Sequence, residues 1–295
     1  MTTMAPFVRQ FRKAVWLALE HDVLNSAKAV AYSGMLTLFP ALVVLTALLA
    51  QVPEGTTLVG EIRGAFEQFL PDDSMTLLKA ALETRRFYSA QLLFSAGALA
   101  VFAGLGLMLS LMDGFRRAYR EPRDSWGFWQ RRIRALLLVP IVLVPLALAT
   151  LVLVFGRQFE AWMIDNAGHE LRHVVLFFWR MVRWAVALLT SISVLGALYH
   201  FGTRRKEHWA CVAPGAVAAT LVWFPSTLAF GLYVTRIADY SMFYGSFGAG
   251  IATLVWLYIT SFSALLGAEL NGVLFRERQQ ADSAPASPEP DPVSL

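Results

Sequence analysis

Charge is scarce in this chain and cysteine almost absent. Asp, Glu, Lys and Arg make up 16% of the 295 residues, where soluble domains carry about 25%. So thin a charged complement does not suit a surface bathed in water. The lone Cys211 excludes an intramolecular disulfide and a cysteine-based zinc site. There is no Walker A loop, so nothing supports ATP hydrolysis. Ser33, Ser110 and Ser246 lack a His–Asp arrangement that would make one of them a nucleophile. The opening "MTTMAPFVRQFRKAVWLALEHDVLNSA" has no continuous apolar stretch followed by a small-residue cleavage site, so no cleaved signal peptide is expected. The end, "QQADSAPASPEPDPVSL", has few large apolar residues, and residues 276–295 read as a disordered cytoplasmic tail.

Apolar sequence is what the chain has in quantity. Hydrophobic residues make up 57%, and the mean hydropathy is +0.53. Uncharged runs cover Ala29–Ala50, Leu92–Met112, Ala135–Gly156, Trp184–Thr203, Ala210–Thr235 and Tyr240–Ala268. Each is long enough to cross about 30 Å of hydrocarbon as a helix, which takes roughly 20 residues. A helix satisfies its own backbone in lipid. The expected fold is an all-α polytopic membrane protein with six transmembrane helices, at about residues 29–50, 92–112, 135–156, 182–203, 210–235 and 245–271. Residues 1–28 form a cytoplasmic amphipathic helix before a membrane domain at 29–275.

Charge sets the orientation. Assigned to loops, sixteen Lys and Arg fall on the side of both termini and nine on the other. The richer side holds Arg116, Arg117, Arg120, Arg123, Arg131, Arg132 and Arg134 in a single loop. The positive-inside rule then places both termini in the cytoplasm of a bacterial inner membrane. In the N-terminal segment, Phe7, Phe11, Val15 and Leu19 recur every four residues with Arg9, Arg12 and Lys13 on other faces. That pattern describes an interfacial helix. Two further amphipathic stretches flank "LPDD" in the first outer loop, with Leu58, Ile62, Phe66 and Phe69 in one and Met75, Leu78 and Leu82 in the other. Pro40, Pro140, Pro145, Pro214 and Pro225 lie inside spans, where each removes a backbone donor.

Two stretches carry a family resemblance. They are "AVAYSGMLTLFPALVVLTALLA" (Ala29–Ala50) and "YGSFGAGIATLVWLYITSFSALLGAELN" (Tyr244–Asn271). Together they resemble the YihY/BrkB family of bacterial inner-membrane proteins, over about residues 7–278. The resemblance implies a six-helix inner-membrane protein. Members have been labelled ribonuclease BN, a label generally regarded as mistaken; others are linked to virulence or proposed to transport lipids.

Candidate functional residues sit at helix ends, because an ionisable group inside a membrane is costly to bury. On the cytoplasmic side these are Lys28, Tyr32, Asp113, Glu269 and Asn271, with a Glu269–Lys28 pair or a hydrogen-bonded cluster as the options. On the outer side Arg180 and Arg183 share a helix face and could hold a lipid phosphate, with Asp239 and Tyr244 nearby. The expected partners are membrane lipids, with anionic headgroups against the Arg-rich loop. That loop interleaves Arg with Tyr119, Trp126, Phe128 and Trp129, but no dense carboxylate cluster accompanies it, so nucleic acid is not an expected partner. Association into a homo-oligomer stays open. No cofactor and no enzymatic activity is expected. The leading expectation is a transporter or translocator of an amphipathic anionic envelope lipid or precursor. The alternative is a non-catalytic scaffold for envelope integrity.

A minor alternative is a zinc metalloprotease. "HELRH" (His169–His173) fits H-E-x-x-H, in which His169 and His173 would bind metal and Glu170 act as base. The extended form fails, because Leu176 and Trp179 occupy its Gly and His places. Only Asp239 shares the outer side as a third ligand. Metal analysis of the purified protein checks this: the expected result is no stoichiometric zinc and no phenotype for Glu170→Ala.

Overall fold

The computed structural model describes residues 4–49, 90–122, 126–166, 172–204, 208–236 and 247–283. Seven helices and no strand occur among them: α1 (Met4–Glu20), α2 (Val23–Leu49), α3 (Ala90–Ala118), α4 (Phe128–Asn166), α5 (Arg172–Gly202), α6 (Trp209–Arg236) and α7 (Phe247–Asp282). The helices α2 to α7 each contain a segment long and apolar enough to cross a membrane. These segments are Val23–Val44, Leu93–Ala118, Phe128–Ala149, Phe177–Gly202, Trp209–Val234 and Gly250–Ala281. The six expected spans are therefore present as helices, with boundaries shifted. The largest shift is in α7, which continues to Asp282, past the expected end at 271 and through part of the expected tail. At 36 residues it is about 54 Å long, well beyond the hydrocarbon thickness. The amphipathic stretches expected in the first outer loop lie outside the described residues, as do the first three residues of HELRH; Arg172 and His173 begin α5.

The six long helices close into a ring. Each packs against its neighbour in chain order, and α7 returns to pack on α2. Pro40 in α2, Pro140 and Pro145 in α4, and Pro214 and Pro225 in α6 all lie within continuous helices. Lipid-type exposure is evident: Phe94, Phe102, Leu143, Phe177 and Leu221 are large, apolar and exposed.

Burial is concentrated at one end of the ring. The buried residues run over 23–31 on α2, 108–119 on α3, 135–138 on α4, 194–203 on α5 and 212–220 on α6. On α7 the dense stretch is 263–273. All of these lie near the Arg-rich end. Phe115 of α3 meets Tyr199 of α5 edge-to-face at 5.3 Å between ring centroids, and neither ring is exposed. Such pairs add about 1 kcal/mol beyond burial.

Helix α1 lies against this end, but on another face than its large apolar residues suggest. Ala14 and Ala18 are buried; Ala14 joins Ala218, Leu270 and Val273 in one packed cluster. Phe7, Val15 and Leu19 of the expected stripe are exposed, with Trp16 beside them. Small residues let α1 approach α7 closely; Phe11 and Leu17 pack beside them, and the other large residues are exposed.

The tightest crossing is between α6 and α7. A Cβ on Gly267 would collide with the Gly215 carbonyl oxygen and stand 2.7 Å from the Ala219 Cβ. A Cβ on Gly215 would collide in turn with the Gly267 carbonyl oxygen. Only backbone fits between these helices, the small-residue packing seen when lipid supplies no hydrophobic drive. Gly267→Val is expected to destabilise the protein by about 3 kcal/mol, the upper range for overpacking. Thermal unfolding in detergent, compared with Gly231→Val at a site with no atom near its Cβ, checks it.

Candidate functional site

The closed end is knotted by polar contacts between helices. Its centre is Glu269 on α7, whose side chain has no exposed surface. Its Oε1 lies 2.9 Å from Nδ1 of His21. Its Oε2 is buried and has no hydrogen-bond partner among the described residues. His21 occupies the corner between α1 and α2, and its Nε2 lies 3.4 Å from Nη2 of Arg120.

Local structure explains why these groups meet. Asp22 has φ 57°, in the left-handed region, and turns the chain from α1 into α2. Its carbonyl accepts from the Ser26 amide at 3.1 Å, and its carboxylate accepts from Asn25 at 2.7 Å. One residue thus ends one helix and caps the next. Arg120 has φ 53° and ends α3. The Arg120 amide donates to the Arg117 carbonyl at 3.0 Å and the Glu121 amide to the Arg116 carbonyl at 2.9 Å. That is a Schellman closure with arginine where glycine is usual. Left-handed backbone costs a non-glycine residue roughly 1–2 kcal/mol. Among the described residues these are the two non-glycine positions with positive φ, and both adjoin His21.

Further ties join the same end. Arg117 donates to Ser26 Oγ at 3.0 Å, linking α3 to α2. Arg276, seven residues beyond Glu269 and on the same side of α7, donates to the Ala118 carbonyl at 3.1 Å. Tyr199 donates to the Ala264 carbonyl at 2.6 Å. Glu121 accepts from the Arg204 amide at 3.2 Å. Asn271 spans α7 and α6: its Oδ1 accepts from the Gly215 amide at 2.8 Å and its Nδ2 donates to the Val212 carbonyl at 2.9 Å. Pro214 lies between those two residues and lacks an amide hydrogen of its own.

The expected residues divide clearly. Glu269 and Asn271 belong to the knot. Asp113 lies beside it and pairs with Arg131 of α4, and at 3.4 Å with Arg116. Lys28 does not pair with Glu269; it is exposed and donates to Asn25 at 3.0 Å, and Tyr32 is exposed too. His21 takes the place expected for Lys28, because the corner at Asp22 delivers the imidazole and not the ammonium to α7. Arg180, exposed, and Arg183, half-buried, lie near the other end of α5. Arg180 precedes Tyr199 by a helical rise of about 28 Å. Asp239, Tyr244, His169 and Glu170 lie outside the described residues, and His173 lies in the first turn of α5. Sequence reasoning missed His21, Arg120 and Arg276. The signals were a polar His-Asp pair between two apolar helices and an i, i+7 spacing from Glu269 to Arg276.

The Arg-rich segment leading into α4 is aromatic-lined. The Arg132 guanidinium lies 3.5 Å from the Phe128 ring centroid and that of Arg134 3.5 Å from Trp126. Phe128 and Trp129 are exposed. No group of three His, Cys, Asp or Glu placed to hold a metal occurs among the described residues. Asn271→Leu would strand one amide and one carbonyl in a buried crossing, at about 1–3 kcal/mol each. Its unfolding temperature in detergent is expected to fall well below that of Asn25→Leu, which removes a surface contact.

Comparison with known proteins agrees with this architecture. YfkH of Bacillus subtilis, which carries a ribonuclease-like name, is 28% identical over 266 residues, covering 90% of this chain and 94% of that protein. A UPF0761 membrane protein of Vibrio parahaemolyticus is 26% identical over 279 residues, covering 93% and 85%. Another from Chromohalobacter salexigens is 26% identical over 278 residues, covering 93% and 65%. No solved structure matches. The family model described as virulence factor BrkB matches residues 17–292. With six apolar helices closed into a ring and that match across nearly its whole length, the chain is a multi-pass membrane protein of the BrkB family.

Proposed function

We propose that the protein is a translocator of an amphipathic anionic lipid or envelope precursor, described here with its Arg-rich end closed. The observation that carries this is Glu269. A carboxylate without exposed surface, inside a membrane domain, held by one imidazole, is costly as a purely structural element. It suits a gate that must open and reclose. At the other end of α5, Arg180 and Arg183 are three residues apart and share a face. They supply a fork geometry that fits a phosphate headgroup. Lipid tails would stay against the exposed apolar faces of the ring while the head passes between helices.

The same proposal places the chain in a bacterial inner membrane with both termini cytoplasmic. The knot then lies at the cytoplasmic face, and Trp129, Phe128 and the adjoining arginines meet anionic headgroups there. No step of this function requires bond-making, and we read the protein as a carrier, not an enzyme. One observation favours a second reading, a non-catalytic scaffold: the ties at the closed end, among the described residues, join helices to one another.

The two readings separate in proteoliposomes. Headgroup-labelled anionic lipid is expected to cross faster with the protein than without. Arg180→Gln with Arg183→Gln is expected to slow it about tenfold, the scale of one lost charge-assisted contact. If no envelope lipid moves, and substitutions at Arg180, Arg183 and Glu269 are silent, the scaffold reading stands instead.

A further inference from the structure

His21 touches two opposite charges at once. Its Nδ1 faces the buried Glu269 at 2.9 Å, and its Nε2 faces the Arg120 guanidinium at 3.4 Å. Arginine can only donate, so the Arg120 contact needs a lone pair on Nε2. The proton of the neutral ring then sits on Nδ1 and is donated to Glu269. A second proton would have to go on Nε2. There it meets a guanidinium that does not give up its own protons. The Nδ1 bond to the carboxylate survives and gains charge, while the Arg120 contact is lost. Proton uptake and Arg120 docking exclude each other.

The other charged and titratable groups at this junction have partners elsewhere. On α3, Arg117 is held by Ser26, and beyond its end Glu121 receives the Arg204 amide. On α7, Arg276 donates to Ala118 and also acts on Glu269 through space, which leaves the imidazole's two contacts unchanged. On α5, Tyr199 donates to Ala264. At the corner itself Asp22 accepts from Asn25. Tyr119 of α3 is buried beside them and has a contact of its own, and α6 meets α7 here through the Asn271 contacts to its backbone. Arg120 is the arginine that faces the ring; it is exposed and holds a left-handed backbone. The His21 side chain keeps 17% of its surface exposed, so water reaches the ring from the Arg-rich side. Imidazole is the side chain whose charge ordinarily changes between pH 5 and 8.

We propose that His21 is a proton-binding site that latches the α1–α2 corner to the end of α3, and that a proton on Nε2 frees Arg120 while His21 stays on Glu269. The ligand is a proton from the water bathing the Arg-rich end. Both parts of the latch sit on strained backbone, Arg120 on its own and His21 next to Asp22. Release therefore lets the end of α3 relax. The latch rests on the translocator reading only for what it opens, since local acidity would then loosen the closed end of the ring.

The test uses the full chain in lipid nanodiscs with Cys211→Ser. Spin labels at Leu19→Cys and Trp129→Cys, both exposed, report the distance from α1 to α4. Helix α4 is tied to α3 through Asp113 and Arg131. Between pH 8 and pH 5.5 the interlabel distance is expected to shift by about 2 Å, the scale of helix displacements in switching proteins. His21→Gln keeps a donor for Glu269 and an acceptor for Arg120, so it holds the docked state without a proton site and is expected to show no shift. Arg120→Leu, at an exposed position, is also expected to be flat. An unshifted distance in the parent chain, or a full shift in His21→Gln, overturns the latch. Lipid movement measured on the same preparations keeps the two ideas apart. Movement with an invariant distance removes the latch alone; a pH-driven distance change without movement removes the translocator alone.

Discussion

A carboxylate with no exposed surface must be compensated, and much of the closed end follows from how Glu269 is compensated. Removing one ion from water costs several kcal/mol even after relaxation. His21 meets one oxygen directly, and the Arg276 and Arg120 guanidiniums act on the carboxylate through space. Because α7 packs on α1, α2, α3 and α6, a charge on that helix draws its partners from separate parts of the chain. The corner between α1 and α2 is held in place by this requirement, and so is the end of α3.

Close approach is the second condition. The ties at this end are short because the helices carrying them touch nearly backbone to backbone. Gly215 and Gly267 leave no room for a side chain between α6 and α7, which brings Asn271 within reach of the Val212 carbonyl and the Gly215 amide. Ala14 does the same for α1 against α7. Gln10 and Lys13 of α1 then reach Glu277 at 2.8 and 3.1 Å. Small residues and polar bonds thus work together, since in lipid neither has hydrophobic attraction between helices to help it.

The two ends of the molecule divide the chemistry. One end is dense and cross-linked by polar groups, with strained corners at Asp22 and Arg120. Towards the other end the helices expose large apolar residues, among which Arg180 and Arg183 stand out as charged. The translocator we propose would use both environments, one for a charged head and one for apolar tails. At the dense end Arg276, Arg117 and Arg131 are committed to a carbonyl, a hydroxyl and a carboxylate of the protein itself.

Membrane residence, the six apolar helices and the presence of Glu269 and Asn271 as polar groups at a helix end were legible in the chain alone. Uncharged runs of sufficient length leave a helix as the economical way to satisfy the backbone in lipid, and ionisable groups are rare enough there to be noticed. The boundaries were less legible, as α7 shows by running to Asp282; helix continuation past the apolar run depends on contacts with α1, not on hydropathy. The partner of Glu269 was decided by tertiary structure. Charge pointed to Lys28, but the left-handed turn at Asp22 brings His21, seven residues earlier, toward α7 and leaves Lys28 on Asn25. Periodicity reports which residues share a face of one helix. Which face meets a neighbour depends on how closely two backbones can approach, and for α1 that chose Ala14 and Ala18, with Phe11 of the apolar stripe packed beside them and Phe7, Val15 and Leu19 left exposed.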